Sequence, residues 1–234
     1  MMALNQKLNC VVTPGEAIGE VTEGTVKLAN GLMQNQSTIY ATKAGILRIK
    51  SPDIYFVENS QRRYVPSLDD MVIGIVIDKR VDSFLVDVGC HQPASLPYNN
   101  FEGATKKNRP LYEVGDLVYA RVCVTSRDME PELSCLTLQG KADTFGKLNG
   151  GYMFKCSTGL VRDCLSRNSI ILNALGKKIP FEVAIGMNGR IWTNAADSKT
   201  TILIANAIQN SEHLNEKQIL SMVHKMTNLQ AHQT

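Results

Sequence analysis

Apolar positions recur first with a period of two and only later with a period of three to four. From 11 to 65 the runs are short and β-branched. Residues 38–40 and Gly45–Lys50 read as strands, Thr13-Pro14-Gly15-Glu16 as a turn and Ser51-Pro52-Asp53 as a stop. From 66 to 141 the pattern stays β. Residues 71–77 form a near-continuous apolar run, the mark of a strand buried on both faces. Residues 83–88 alternate, 117–124 and 133–138 make two more strands, and Gly115-Asp116 supplies a turn. A long polar loop, 99–113, interrupts the set. Five short strands with one long connection predict an OB-type barrel, an architecture that often binds single-stranded nucleic acid on one face.

The character changes near Gly146, and 146–234 mixes the two periods. Residues 152–156 read as a strand. Thr158 is a candidate cap for a short helix with Leu160, Val161, Cys164 and Leu165 on one side. A second short helix over 170–175 has Gly176 as its C-terminal stop. Residues 181–187 alternate Phe181, Val183, Ile185 and Met187 toward one face. Asn188-Gly189 is a two-residue hairpin signal that pairs Met187 with Arg190 and Ile185 with Trp192. A helix from Asp197 or Ser198 runs to about Asn210. Asn215 and Gln218 open a last helix whose stripe is Ile219, Met222, Val223, Met226 and Leu229. Strand, two helices, two strands and a helix is the order of a KH-type RNA-binding fold, here with one helix more. The fold class expected is mixed α+β and multidomain: a flexible tail over 1–10, a small all-β domain over 11–65, the barrel over 66–141 and the KH-type domain with C-terminal helices over 146–234.

Composition changes this picture little. The chain has 234 residues and ordinary globular proportions of apolar and charged side chains. It has neither a run of about 20 apolar residues that would span a membrane nor a secretory head, so cytosol or nucleus is the default. The six cysteines form no CxxC pair, and the four histidines supply no zinc spacing. They read as small buried hydrophobes, with no metal or cofactor expected. Ten basic residues meet eleven acidic ones over 61–141, and ten meet six over 142–234. No domain is strongly basic as a whole, so contact with nucleic acid must use local clusters.

Several motifs together resemble a known family. They are Val12-Thr13-Pro14-Gly15-Glu16, Arg63-Tyr64-Val65-Pro66, Val72-Ile73-Gly74-Ile75-Val76, Phe101-Glu102-Gly103-Ala104-Thr105, Asn108-Arg109-Pro110, Asp128-Met129-Glu130-Pro131-Glu132 and Gly186-Met187-Asn188-Gly189-Arg190-Ile191-Trp192. The barrel resembles the RNA-binding repeat of the first small-subunit ribosomal protein, the S1 domain. The whole order resembles the cap subunits of the eukaryotic RNA exosome, of the type called exosome component three. That resemblance implies a non-catalytic subunit seated with two other cap subunits on a ring of RNase-PH-like proteins. Single-stranded RNA would pass the cap and a central channel toward a separate hydrolytic exonuclease. Roles in rRNA processing and RNA turnover, in nucleus, nucleolus and cytoplasm, come with it.

The first RNA-contact candidates are Lys106, Lys107 and Arg109, three cations within four residues that suit successive phosphates without base specificity. A solvated loop is the plainer reading. Lys79 and Arg80, in the first barrel turn, and Arg121, on a strand, are the next. Arg121 is open to neutralisation by Asp116 or a strand neighbour. Arg62-Arg63, between the first two domains, ranks lower. The positions that carry stacking rings in S1 barrels fall on Leu85 and Val88, and the histidine position on Pro97; Phe84 and Tyr98 lie out of phase. The KH loop reads Ser166-Arg167-Asn168-Ser169, without the GxxG that clamps RNA backbone. Gly186, Asn188, Gly189 and Trp192 are assigned to a structural turn packed on the barrel. Asp69-Asp70 face opposite ways on a strand and read as a cap on the barrel's approach, and Asp128, Glu130 and Glu132 as a solvated turn. No Walker, HExxH or nucleophile-elbow motif occurs. Two other readings compete: a free-standing RNA-binding regulator of mRNA stability or translation, and a nuclease, for whose core no residues remain.

Overall fold

Alternation of β-branched residues with polar ones makes the first 61 residues a unit of short strands. The computed structural model describes residues 7–21, 26–50, 54–59, 63–104, 108–126, 129–166 and 168–231, and side chains as far as 226. Ser51-Pro52-Asp53 lie outside them. Two compact units result, Met1–Gln61 and Arg62–Thr234. In the first, β1 (Val11–Val12), β6 (Gly45–Lys50), β7 (Ile54–Glu58) and β3 (Lys27–Leu28) form one sheet in that order. β2 (Ala17–Glu20), β5 (Thr38–Ala41) and β4 (Leu32–Asn35) form the other. Val12, Ile18, Ile39, Leu47, Tyr55 and Val57 fill the space between them. The turn at Gly15 (φ +85°) is closed by Glu16, whose carboxylate accepts from the Thr13 amide at 3.0 Å and from Lys7 Nζ at 2.7 Å.

The second unit opens with the barrel. Its strands are β8 (Met71–Lys79), β9 (Ser83–Asp87), β10 (Ala94–Pro97), β11 (Leu117–Val124) and β12 (Glu132–Ser134). β12 pairs with both β10 and β11, which closes the five-stranded barrel. β13 (Gly146–Leu148) adds to the outer edge of β11. Phe84, Val72, Val76, Val86, Leu96, Val118 and Leu133 fill the interior. Gly74 is glycine because a Cβ there would sit 2.1 Å from Val86 Cγ1. The strand expected over 133–138 ends at Ser134, and β10 and β13 carried no periodic signal, being three or four residues long.

In the KH part, β14 (Tyr152–Lys155), α1 (Thr158–Leu165), α2 (Ile170–Gly176), β15 (Phe181–Gly186), β16 (Arg190–Ala195), α3 (Ser198–Ser211) and α4 (Glu216–Ala231) follow in order. The sheet order is β14-β16-β15. Ser157, not Thr158, caps α1: its hydroxyl accepts from the Leu160 amide at 3.1 Å, while Thr158 is the first helical residue. Gly176 lies inside α2 rather than beyond it. Gln218 reaches back to the Asn215 amide at 3.0 Å, half of a capping box. Ile219 and Val223 of α4 are buried, Met222 and Met226 pack beside them, and the Leu229 side chain lies outside the described set. No described helix is long and apolar enough to cross a membrane.

One-sided alternation in β15 does not hold. Ala184, Ile185 and Gly186 are all buried, because the three-stranded sheet is covered twice. One face meets the helices through Ile185, Ile191 and Phe154. The other meets the barrel, where Ala184 and Trp192 pack on Ile73 and Tyr119. A sheet buried on both faces loses the polar positions that alternation needs.

Candidate nucleic-acid interface

The β8–β9 turn and the loop after β10 meet at one end of the barrel. Tyr98 opens a single 3₁₀ turn there, and its hydroxyl donates to Arg80 O at 2.7 Å. The Arg109 guanidinium lies over the Tyr98 ring at 5.2 Å and donates to Val81 O at 3.3 Å. Arg80 makes a two-pronged ion pair with Glu130, at 3.0 and 3.3 Å. Lys79, beside it, is exposed. The structure thus brings Arg109 and the Arg80 main chain to the Tyr98 ring, while the Arg80 guanidinium turns to Glu130. Lys106 and Lys107, in the same loop, lie outside the described residues, as do Arg62, Asp128 and Arg167.

Arg121 does not belong to this rim. It pairs in register with Met71, at the far end of β8 from Lys79. Eight residues of strand put the two about 26 Å apart. Its side chain is only 16% exposed, forms an ion pair with Asp69 and reaches Leu136 O. Asp69, not Asp116, therefore neutralises it; Asp116 pairs with Lys147. Asp70 accepts instead from the Tyr64 hydroxyl at 2.9 Å and the Ser67 amide at 3.2 Å. The Asp69-Asp70 pair thus tethers the entry to β8.

Leu85 and Pro97 are half-buried on the outer side of the barrel, whereas Val88 points into its core. Phe84 is core too, edge-on to Tyr98 at 4.7 Å. Rings are the strongest source of sequence-blind affinity for single strands, about 1–3 kcal/mol per base. The described outer face of β8, β9 and β10 carries no ring. Of the six cysteines only Cys135 and Cys164 are fully buried, as expected of small core hydrophobes. Burial pushes the thiols of Cys135 and Cys156 up to about 12 and that of Cys164 to about 11; Cys10 alone is exposed. Among the described residues no three His, Cys, Asp or Glu side chains gather as metal ligands.

Behind the barrel, the β15–β16 turn forms the joint between the two halves of this unit. β9 ends opposite Ile75, which leaves the start of β8 without a neighbour on that side. Asn188 takes its place. Its carboxamide accepts from the Ile73 amide at 3.3 Å and donates to Ile73 O at 2.8 Å and Val88 O at 2.9 Å. One side chain so imitates the peptide group of a missing strand. The Met187 amide adds a bond to Met71 O at 2.7 Å. Arg190, 4% exposed at its side chain, donates to Asp87 O and Asp87 Oδ2, each at 2.6 Å.

The turn has three residues, not two. Gly186 pairs with Arg190, Ile185 with Ile191 and Ala184 with Trp192. Gly189 alone takes a positive φ, +75°, as in a turn closed by a left-handed glycine. Docking of Asn188 on β8 decides this register, and a two-residue turn would aim that side chain elsewhere. The glycines are fixed by contact. A Cβ on Gly186 would lie 2.8 Å from the Ile73 amide nitrogen, and one on Gly189 2.7 Å from Cys156 O. Gly186→Ala and Gly189→Ala are each expected to cost about 1–3 kcal/mol through overpacking against backbone. Calorimetry should register the loss while RNA affinity, measured well below the melting temperature, stays at the parent value. A variant that binds RNA less but melts unchanged would contradict this.

Comparison with known proteins adds to the geometry. The model described as "Exosome complex component RRP40, S1 domain" matches residues 64–146, and a KH-domain model matches residues 151–199. Exosome complex component RRP40 of Drosophila melanogaster is 46% identical over 202 residues, covering 85% of this chain and 87% of its own. The Mus musculus protein of the same name is 40% identical over 245 residues, covering 92% and 89%. A solved crystal structure 22% identical to this chain covers 72% of it and 99% of its own length with a TM-score of 0.60, a likeness of fold.

Proposed function

Because this chain belongs to the family of exosome complex component RRP40, we propose that it is a non-catalytic cap subunit of the RNA exosome. In this reading it binds single-stranded RNA and guides it into the central channel for 3′-to-5′ degradation and processing. Its partners are the RNase-PH-like ring, the other cap subunits and, through the channel, a hydrolytic exonuclease, in nucleus, nucleolus and cytoplasm. The observation that carries the reading is the pairing of an S1 barrel with a KH domain through a buried, hydrogen-bonded joint. Such a joint holds the cationic rim at a fixed angle, as a guide requires and a flexibly tethered binder does not.

Binding through Lys79, Arg80, Lys106, Lys107 and Arg109 is electrostatic and blind to sequence. Without stacking rings on the barrel face, affinity of the isolated chain is weak and salt-sensitive. Changing Lys106, Lys107 and Arg109 together to Glu should leave assembly intact and weaken RNA threading. Neutralising the same three to Gln should lower the slope of log affinity against log salt by about 2. Unchanged degradation of long single-stranded RNA by a reconstituted complex carrying the Glu variant would falsify the rim assignment. A complex that fails to assemble with the Glu variant would place these residues at a protein contact instead.

A further inference from the structure

Asn188-Gly189 is also a chemically labile pair. A glycine amide after asparagine can attack the side-chain carbonyl, because glycine has no Cβ in the way. The chain has three such pairs, Asn30-Gly31, Asn149-Gly150 and Asn188-Gly189. Asn30 and Asn149 are exposed; Asn188 is 9% exposed, with its carboxamide held by three hydrogen bonds to β8 and to Val88 O. The Gly189 amide, the would-be nucleophile, is itself engaged with Gly186 O at 3.1 Å.

We propose that Asn188 is a deamidation site guarded by the barrel–KH joint, and that its conversion to aspartate locks the joint open. In the reaction Gly189 N bonds to Asn188 Cγ and the Cγ–Nδ2 bond breaks. The displaced nitrogen leaves as ammonia, carrying the proton from Gly189 N. Water then opens the five-membered imide at one of its two carbonyls, giving aspartate or isoaspartate. In the closed joint the leaving nitrogen is pinned by two carbonyl oxygens and the attacking amide faces away, so reaction waits for local opening. Closure afterwards is blocked. A carboxylate has no N–H for Ile73 O or Val88 O, and it sets a negative charge against both. Isoaspartate adds a backbone atom to a turn that tolerates no added Cβ at Gly186 or Gly189. Arg190 does not rescue the charge, being committed to Asp87 and Ile73 O.

The test is peptide mapping by mass spectrometry of the full chain, aged in mildly alkaline buffer and sampled over time. Asn149 is the internal clock for an exposed pair. Asn188 should convert at least about tenfold more slowly than Asn149, since its rate scales with the open fraction of the joint. Sub-denaturing urea should close that gap. Equal rates at the two sites in the native chain would overturn the guarding role. The locking role is read separately with N188D. That variant should show the barrel and KH parts melting in two transitions, where the parent melts Arg62–Thr234 in one. If N188D does not fold, aged wild-type protein enriched in the deamidated form supplies the same comparison. A single parent-like transition in either sample would overturn the lock.

Discussion

Replacing Trp192 with alanine is expected to cost about 3–5 kcal/mol, the range for removing a large buried ring. The indole is 5% exposed and, beside its cross-strand neighbour Ala184, packs on the barrel residues Ile73 and Tyr119. It is thus the main apolar filling of the joint. Its Nε1 donates to Gly150 O at 2.9 Å, so truncation also strips a carbonyl of its partner. The site collapses poorly, because the neighbouring backbone is shaped to the ring. A Cβ on Gly151 would stand 2.8 Å from the indole, and that glycine holds a φ of +69° to pass beneath it. In a unit of this size each kcal/mol lowers the melting temperature by about 2–4 °C, so a fall of roughly 6–20 °C is predicted. Trp192→Phe should recover much of the packing but not the hydrogen bond. A scan in which Trp192→Ala melts within about 2 °C of the parent would show that the joint does not depend on the ring.

The second large effect is on the ion pair. Asp87→Ala removes the counter-charge of Arg190 and leaves a guanidinium, 4% exposed, with backbone carbonyls alone. Stranding one member of a buried pair typically costs about 3–5 kcal/mol, whereas removing both is far milder. Arg190→Met should therefore be gentler than Asp87→Ala, because the carboxylate left behind is 42% exposed and regains water. The double variant should be more stable than Asp87→Ala alone, and urea unfolding of all three tests this order. A double variant no better than the single one would mean that the charge was never stranded. The pair also has a pH signature. Burial by itself raises the Asp87 carboxyl, but bonds from Arg190 and the Gly89 amide outweigh it, and the net shift is downward. A carboxyl lowered in the folded state contributes stability that is complete above the ordinary carboxylate range and is lost as pH falls through the lowered value. Melting temperature against pH should therefore be flatter on the acid side in Asp87→Ala than in the parent.

Much of the architecture was legible in the chain because it rests on local periodicity. Runs such as 71–77 and 117–124, with turn residues between them, fix strands by burial and register. The stripe on α4 and the Asn215–Gln218 start mark a helix from within one segment. The order of elements, with the motifs around Gly186 and Asn108, was enough to point to the family. What stayed illegible has a common cause: it depends on neighbours distant in sequence. β10 and β13 are too short to show a period and exist because β9 and β11 offer them edges. Arg121 reads like any strand arginine until Asp69 is found beside it.

The hairpin shows the division most clearly. Asn-Gly dictates a turn, since a glycine with positive φ is the local requirement. Whether the loop has two residues or three is not a local question. It is settled by Ile73 and Val88, more than a hundred residues and exactly one hundred residues away respectively, whose backbone groups need the Asn188 carboxamide. The same holds for the cations: the sequence places them along the barrel segment, and only the fold decided that Arg109 lies over Tyr98, that Arg80 pairs with Glu130 and that Arg121 is spent on Asp69. Local sequence sets conformational preference, at tenths to about one kcal/mol per residue. Satisfying buried polar groups and charges is worth more than that for each one left unpaired, so where the two conflict the tertiary contact chooses.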